Sequence, residues 1–119
     1  MKILYLIITL TIFVFGSLTL SAKKTLTESE KIEELIKSME RLGDVEFIRN
    51  GKSYKAGKAV SHLRSKLKRA GEKVKTVQDF IDGIASSSYF TGNPYYIKFN
   101  DGKQVALKEF FEARLKELE

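Results

Sequence analysis

The chain has no cysteine and no tryptophan, a single histidine, His62, and a single proline, Pro94. Without cysteine there are no disulfides, no thiolate nucleophile, no thiolate metal site and no lipid attachment through a cysteine. One histidine and no cysteine cannot supply the usual zinc ligand set, and Asn100-Asp101-Gly102 lacks the acidic series of a calcium loop. No metal site and no cofactor are therefore expected. Charged pairs such as Glu33/Glu34 fall on one exposed helix face, with nothing to separate their pKa values. A length of 119 residues argues for one domain. Stability must then come from its hydrophobic core alone.

Lys2 precedes an apolar run, Ile3–Phe15, that is broken at Gly16-Ser17 and followed by Leu20-Ser21-Ala22. This pattern predicts a signal peptide over residues 1–22, leaving residues 23–119 as a single mature domain outside the cytoplasmic membrane. The competing reading is a retained anchor. Lys23-Lys24 on the far side of the run argues against it.

Thr27 with Glu30 three residues on forms a capping-box pattern. Ile32, Leu35, Ile36, Met39 and Leu42 follow at helical spacing, and Gly43 stops the helix. Val45–Arg49, Asn50-Gly51 and Lys52–Lys55 predict a hairpin with the strongest two-residue turn signal known. Ala56–Ala70 is a second helix, with Ala56, Ala59, Val60, Leu63, Leu67 and Ala70 on a narrow apolar stripe. Arg64 and Lys66 flank the stripe. His62 falls on the opposite side, with Lys58, Lys66 and Arg69 as its helical neighbours.

A third helix is expected from Thr76-x-x-Asp79 to Ser86, burying Phe80, Ile81, Ile84 and Ala85. An irregular stretch then runs to Pro94. A second hairpin turns at Asn100-Asp101-Gly102 and returns over Lys103–Val105, and a last helix carries Leu107, Phe110, Phe111, Leu115 and Leu118. Residues 27–71 and 76–119 thus predict a helix–hairpin–helix unit written twice. Thr27/Thr76, Glu30/Asp79, Gly51/Gly102 and Val60/Phe111 are among the aligned pairs. The expected class is α+β, with a small antiparallel sheet and helices packed against it.

Several motifs in this order resemble the YfeK-like family of small exported bacterial proteins, a domain of unknown function. They are Phe47-Ile48-Arg49-Asn50-Gly51, Ala59-Val60-Ser61-His62-Leu63-Arg64, Lys66-Leu67, Thr76, Phe80-Ile81-Asp82, Ala85-Ser86-Ser87-Ser88, Thr91-Gly92 and Pro94-Tyr95. The resemblance is weakest after Phe99. It implies a signal peptide, a bacterial source and an envelope address, and it implies no activity.

Charge is uneven. Ten basic residues lie between Arg49 and Lys75 against Glu72 alone, while both flanking parts of the mature chain are slightly acidic. Such a face attracts anions over about one Debye length, ~8 Å at physiological salt. It also serves simply to keep a protein soluble. The expected function is a non-enzymatic exported binding or accessory domain. Its binding candidates are Arg49, Lys58, His62, Arg64, Lys66 and Arg69, and its partner an anionic envelope component or another exported protein. Arg49, His62 and Arg64 could also meet the Ser86–Tyr95 loop in a polar recognition site. Nucleic acid is disfavoured by the export signal. It is also disfavoured because Tyr54 is the only aromatic residue between Arg49 and Lys75. The alternative from another class is a small hydrolase with His62 as base and Ser86, Ser87 or Ser88 as nucleophile. No G-x-S-x-G elbow accompanies it. A third reading is a homodimer or an inhibitor acting through apolar surface.

Overall fold

The computed structural model describes residues 25–119. The signal-peptide expectation for residues 1–22 lies outside the described residues. Among the described residues no helix is long and apolar enough to cross a membrane.

Helix α1, Glu28–Arg41, begins at Thr27, whose hydroxyl accepts from the Glu30 amide at 3.1 Å while the Glu30 carboxylate accepts from the Thr27 amide at 2.9 Å. Both orphan donors are met by this exchange. Ile32, Leu35, Ile36 and Met39 are buried along one face, and Leu42 packs beside them. Strands β1 (Glu46–Arg49) and β2 (Lys52–Tyr54) form the first hairpin. Asn50 and Gly51 have φ of 51° and 78°. Two consecutive positive values make the primed turn that matches strand twist.

Helix α2 spans Ala56–Ala70 and runs into a 3-10 turn at Gly71–Lys73. Helix α3, Val77–Phe80, starts with the second capping box, Thr76 and Asp79. It then widens into a π-helical turn, Ile81–Ala85, where a continuous α-helix was expected. The wider turn lets Phe80, Ile81, Ile84 and Ala85 all reach the core. Strands β3 (Tyr96–Lys98) and β4 (Gln104–Ala106) form the second hairpin, and helix α4 spans Leu107–Leu118. The return strand therefore lies one residue later than the expected Lys103–Val105.

The four strands are antiparallel in the order β2-β1-β3-β4. Tyr54, Phe47, Ile97 and Val105 are opposite one another across the sheet. Phe47 and Ile97 in that row are buried, so it faces the helices. Helix α1 packs against α2, α3 and α4. The core closes around Phe80 and Phe111, whose ring centroids are 5.8 Å apart. The fold is α+β, with one small antiparallel sheet.

The sheet order is symmetric about its centre, but the halves differ in their opening helices. One has 14 residues, the other four followed by a five-residue π turn. The Ser86–Tyr95 stretch also has no counterpart between α1 and β1. A repeated unit is not established by this architecture.

Candidate functional site

Side chains alternate along a strand. Because Phe47 faces the helices, Arg49, two residues on, points to the same side at the strand's end. There it meets α2. His62, Lys66, Arg69 and Ala70 recur along α2 at helical spacing and face the Ser86–Tyr95 loop. Between β1, α2 and this loop lies a cavity of about 480 Å³. Its basic wall is Arg49, His62, Lys66, Arg69 and Lys73, and its other wall is Ser88, Tyr89, Phe90 and Tyr95. No aspartate or glutamate lines it. Arg49, His62 and Tyr95 also line a smaller cavity of about 200 Å³, together with Lys58, Phe47 and Tyr54.

Lys66 is the anchor of the site. It is only 2% exposed, where its position beside the apolar stripe predicted a flanking residue. Its Nζ donates to the carbonyls of Ile84 at 2.7 Å and Ser87 at 3.0 Å, and to the Tyr95 hydroxyl at 3.1 Å. An ammonium has three protons, and all three are used. The Ile84 carbonyl lies at the end of the π turn, where backbone acceptors have no helical donor ahead of them, and Ser87 stands just beyond it in an isolated bridge with Pro94. A cation there also opposes the helix dipole. The same ammonium lies 4.1 Å from the centroid of the Tyr89 ring and 4.9 Å from that of Tyr95. Burial, with Arg49 and Arg69 nearby, brings its pKa down from 10.5 to about 8.

His62 is half-buried rather than turned away from the core. Its Nε2 is 3.2 Å from the Tyr95 hydroxyl, and the two rings meet edge to face. Burial first, then Arg49, Lys66 and Arg69, push its pKa below 6.5. Burial raises the Tyr95 phenol, with Arg49 acting against it.

The loop is pinned from the hairpin as well. Asn50 Oδ1 accepts from Thr91 Oγ1 at 2.7 Å and from Asn93 Nδ2 at 3.3 Å, and Asn50 Nδ2 donates to Ser88 Oγ at 3.4 Å. Within the loop the Ser88 amide donates to Asn93 O and the Gly92 amide to Ser88 O.

Of the binding residues expected from sequence, Arg49, His62, Lys66 and Arg69 converge on the large cavity. Lys58 lines the smaller one. Arg64 joins neither: its guanidinium makes two hydrogen bonds with Glu33 on α1, at 2.7 and 3.1 Å. Both residues are on the surface, so Arg64 ties two helices together. The hydrolase pairing is not assembled by the hydrogen bonds of the site. His62 is bonded to Tyr95, Ser86 Oγ donates to the Asp82 carbonyl, and Ser88 Oγ accepts from Asn50. Among the described residues no group of three or more His, Asp or Glu side chains is placed to hold a metal ion.

The expected meeting of Arg49 and His62 with the Ser86–Tyr95 loop is present, without Arg64. Sequence reasoning passed over the aromatic wall that Tyr89, Phe90 and Tyr95 make of that loop, and the parts of Lys73 and Asn50. The sparse aromatics of residues 49–75 were a poor guide, because the aromatic wall comes from the later half. The signal that could have found it was local: Tyr89-Phe90 is an aromatic pair inside the chain's longest irregular stretch.

No solved structure matches this chain. An uncharacterized protein, YfeK, of Salmonella typhimurium (strain LT2) is 40% identical over 68 residues, a match covering 57% of this chain and 57% of that one. The chain thus spans a little over half the length of this relative. The model of the Family of unknown function (DUF5329) matches residues 26–119, including the stretch after Phe99 where the motif resemblance was weakest. With nearly all of its described residues covered by that model, the chain belongs to this YfeK-like family of unknown function.

Proposed function

We propose that this chain is an exported, non-enzymatic binding or accessory domain that holds an anionic group of an envelope component or of an exported partner in the pocket between β1, α2 and the Ser86–Tyr95 loop. The observation that carries this reading is the convergence of Arg49, Lys66, Arg69 and Lys73 on one cavity whose lining contains no carboxylate. Among the described residues none of these four makes an ion pair, whereas Arg64, Lys55 and Lys31 all do. The cluster is therefore self-repelling: burial first, and then the neighbouring cations, lower the pKa values of Lys66 and His62. A bound anion reverses the repulsion. Arg49 Nε adds to the argument, being buried without a hydrogen-bond partner. A donor left in that condition costs about 1–3 kcal/mol. Export rests on the N-terminal apolar run behind Lys2.

Binding is favoured over hydrolysis because the His62 nitrogen that faces the pocket's polar groups is bonded to a phenol rather than to a serine. Thermal unfolding with added pyrophosphate, at low and at high salt, tests the pocket. The midpoint rises at low salt, the rise shrinks as salt is added, and Arg69→Gln abolishes most of it. No rise at low salt overturns the reading. Fractionation of cells making the full chain tests export, and recovery in the cytoplasm alone overturns that part.

A further inference from the structure

Phe90 is 96% exposed and Tyr89 60% exposed, the two large hydrophobic side chains that stand out on the surface of the described residues. Isolated exposed apolar residues are ordinary. These two differ because the loop that carries them is held on both sides. Lys66 bonds the Ser87 carbonyl, Asn50 holds Thr91 and Asn93, and the Gly92 amide closes back onto Ser88. The aromatic tip is presented in a fixed position, beside the mouth of a cavity lined by Arg49, Arg69 and Lys73.

A soluble anion has use for the cations but none for a bare phenyl ring. An apolar patch on another protein would cover the ring but strip water from unpaired cations, which is costly. An extended single strand of nucleic acid needs cations spread along a groove, whereas these converge on one cavity. An anionic bilayer leaflet offers both chemistries at the right depths, phosphates at the level of the cations and acyl chains just beneath. Tyrosine is enriched at that boundary, and phenylalanine is among the residues that interfacial segments bury in it.

We propose that the Tyr89–Phe90 tip inserts into the headgroup boundary of an anionic phospholipid membrane, with Arg49, Arg69 and Lys73 taking a lipid phosphate at the pocket. This rests on the reading of the pocket as an anion site and names the source of the anion. The cavity of about 480 Å³ is of a size to admit one headgroup.

The chain's lack of tryptophan supplies the test. Phe90→Trp in the full chain places a single indole at the tip, so its signal reports the loop even if the N-terminal run also touches lipid. With vesicles of phosphatidylglycerol and phosphatidylcholine the emission shifts to the blue and is quenched by acyl-chain bromine. With phosphatidylcholine alone it does neither. Neutralising Arg69 and Lys73 together to Gln shifts the titration to about thirtyfold more anionic lipid.

An indole that stays in water on anionic vesicles, while pyrophosphate still raises the unfolding midpoint, overturns the membrane proposal and leaves the anion pocket standing. Loss of both responses removes both. A blue shift without vesicles that grows with protein concentration assigns the tip to a second copy and overturns the proposal. So does a shift produced by a single-stranded oligonucleotide but not by vesicles.

Discussion

The ammonium of Lys66 donates to the hydroxyl of Tyr95 at 3.1 Å, and the same hydroxyl stands 3.2 Å from His62 Nε2. Two residues one helical turn apart on α2 are thus tied to a single phenol that precedes β3. The contact joins the basic helix to the aromatic loop, and all three residues line the pocket.

Removing Lys66 strips the donor from two backbone carbonyls and a phenol in buried surroundings. Lys66→Met costs about 1–3 kcal/mol, and Lys66→Ala about 1–2 kcal/mol more for the packing it loses. Urea denaturation measures both. Amide exchange at Ser88 and Gly92 accelerates in each variant, since the loop loses its hold on α2.

Asn50 has two separable duties, the positive-φ turn and the ties to the loop. Asn50→Gly keeps the first and loses the second, so the hairpin keeps its register while pyrophosphate binding weakens. Asn50→Ala loses both and adds about 1–2 kcal/mol of backbone strain. Equal stability loss in the two variants would show that the turn carries no strain.

With one histidine in the chain, its ring resonances in a pH titration are unambiguous. His62 titrates below 6.5, and Arg69→Gln moves it up by removing one of the cations that lower it. The folded state holds fewer protons than the unfolded chain just below pH 6.5, so His62 lowers stability as pH falls through that range. An ordinary titration midpoint would mean that the ring is solvated.

Lys66 gives the opposite end of the pH scale. Its ammonium loses its proton near pH 8 in the folded chain but keeps it to about 10.5 when unfolded. Between these values the unfolded state binds more protons, so this residue's contribution to stability rises with pH. Anion affinity runs the other way, falling as pH climbs through about 8 and the pocket loses a charge. Isothermal titration with pyrophosphate at neutral and alkaline pH reads the second effect, and Lys66→Met flattens it.

Arg64→Gln serves as the contrast to Arg69→Gln. The Arg64–Glu33 pair is exposed on both sides, and such pairs contribute about 0–1 kcal/mol. Stability changes little and pyrophosphate binding not at all, although both arginines lie on the same helix.

These contrasts show where the sequence could be read and where it could not. The capping boxes at Thr27 and Thr76, the Asn50-Gly51 turn and the limits of α2 depend on residues a few positions apart, and all were legible. Lys66 was not, because its acceptors lie 18, 21 and 29 residues downstream. The tie of Arg64 to Glu33 was hidden for the same reason, the partner being 31 residues upstream. Arg49 could have been placed from the alternation that buries Phe47. The π turn had no local signal beyond the exposed Gly83, a poor helix former.

The sheet's outer members, β2 and β4, are only three residues long, and β2 exposes Lys52 and Ser53. So brief a border, marked by a lysine, gives a foreign strand almost nothing to zip onto. A domain with no covalent cross-links is thereby guarded against polymerising edge to edge.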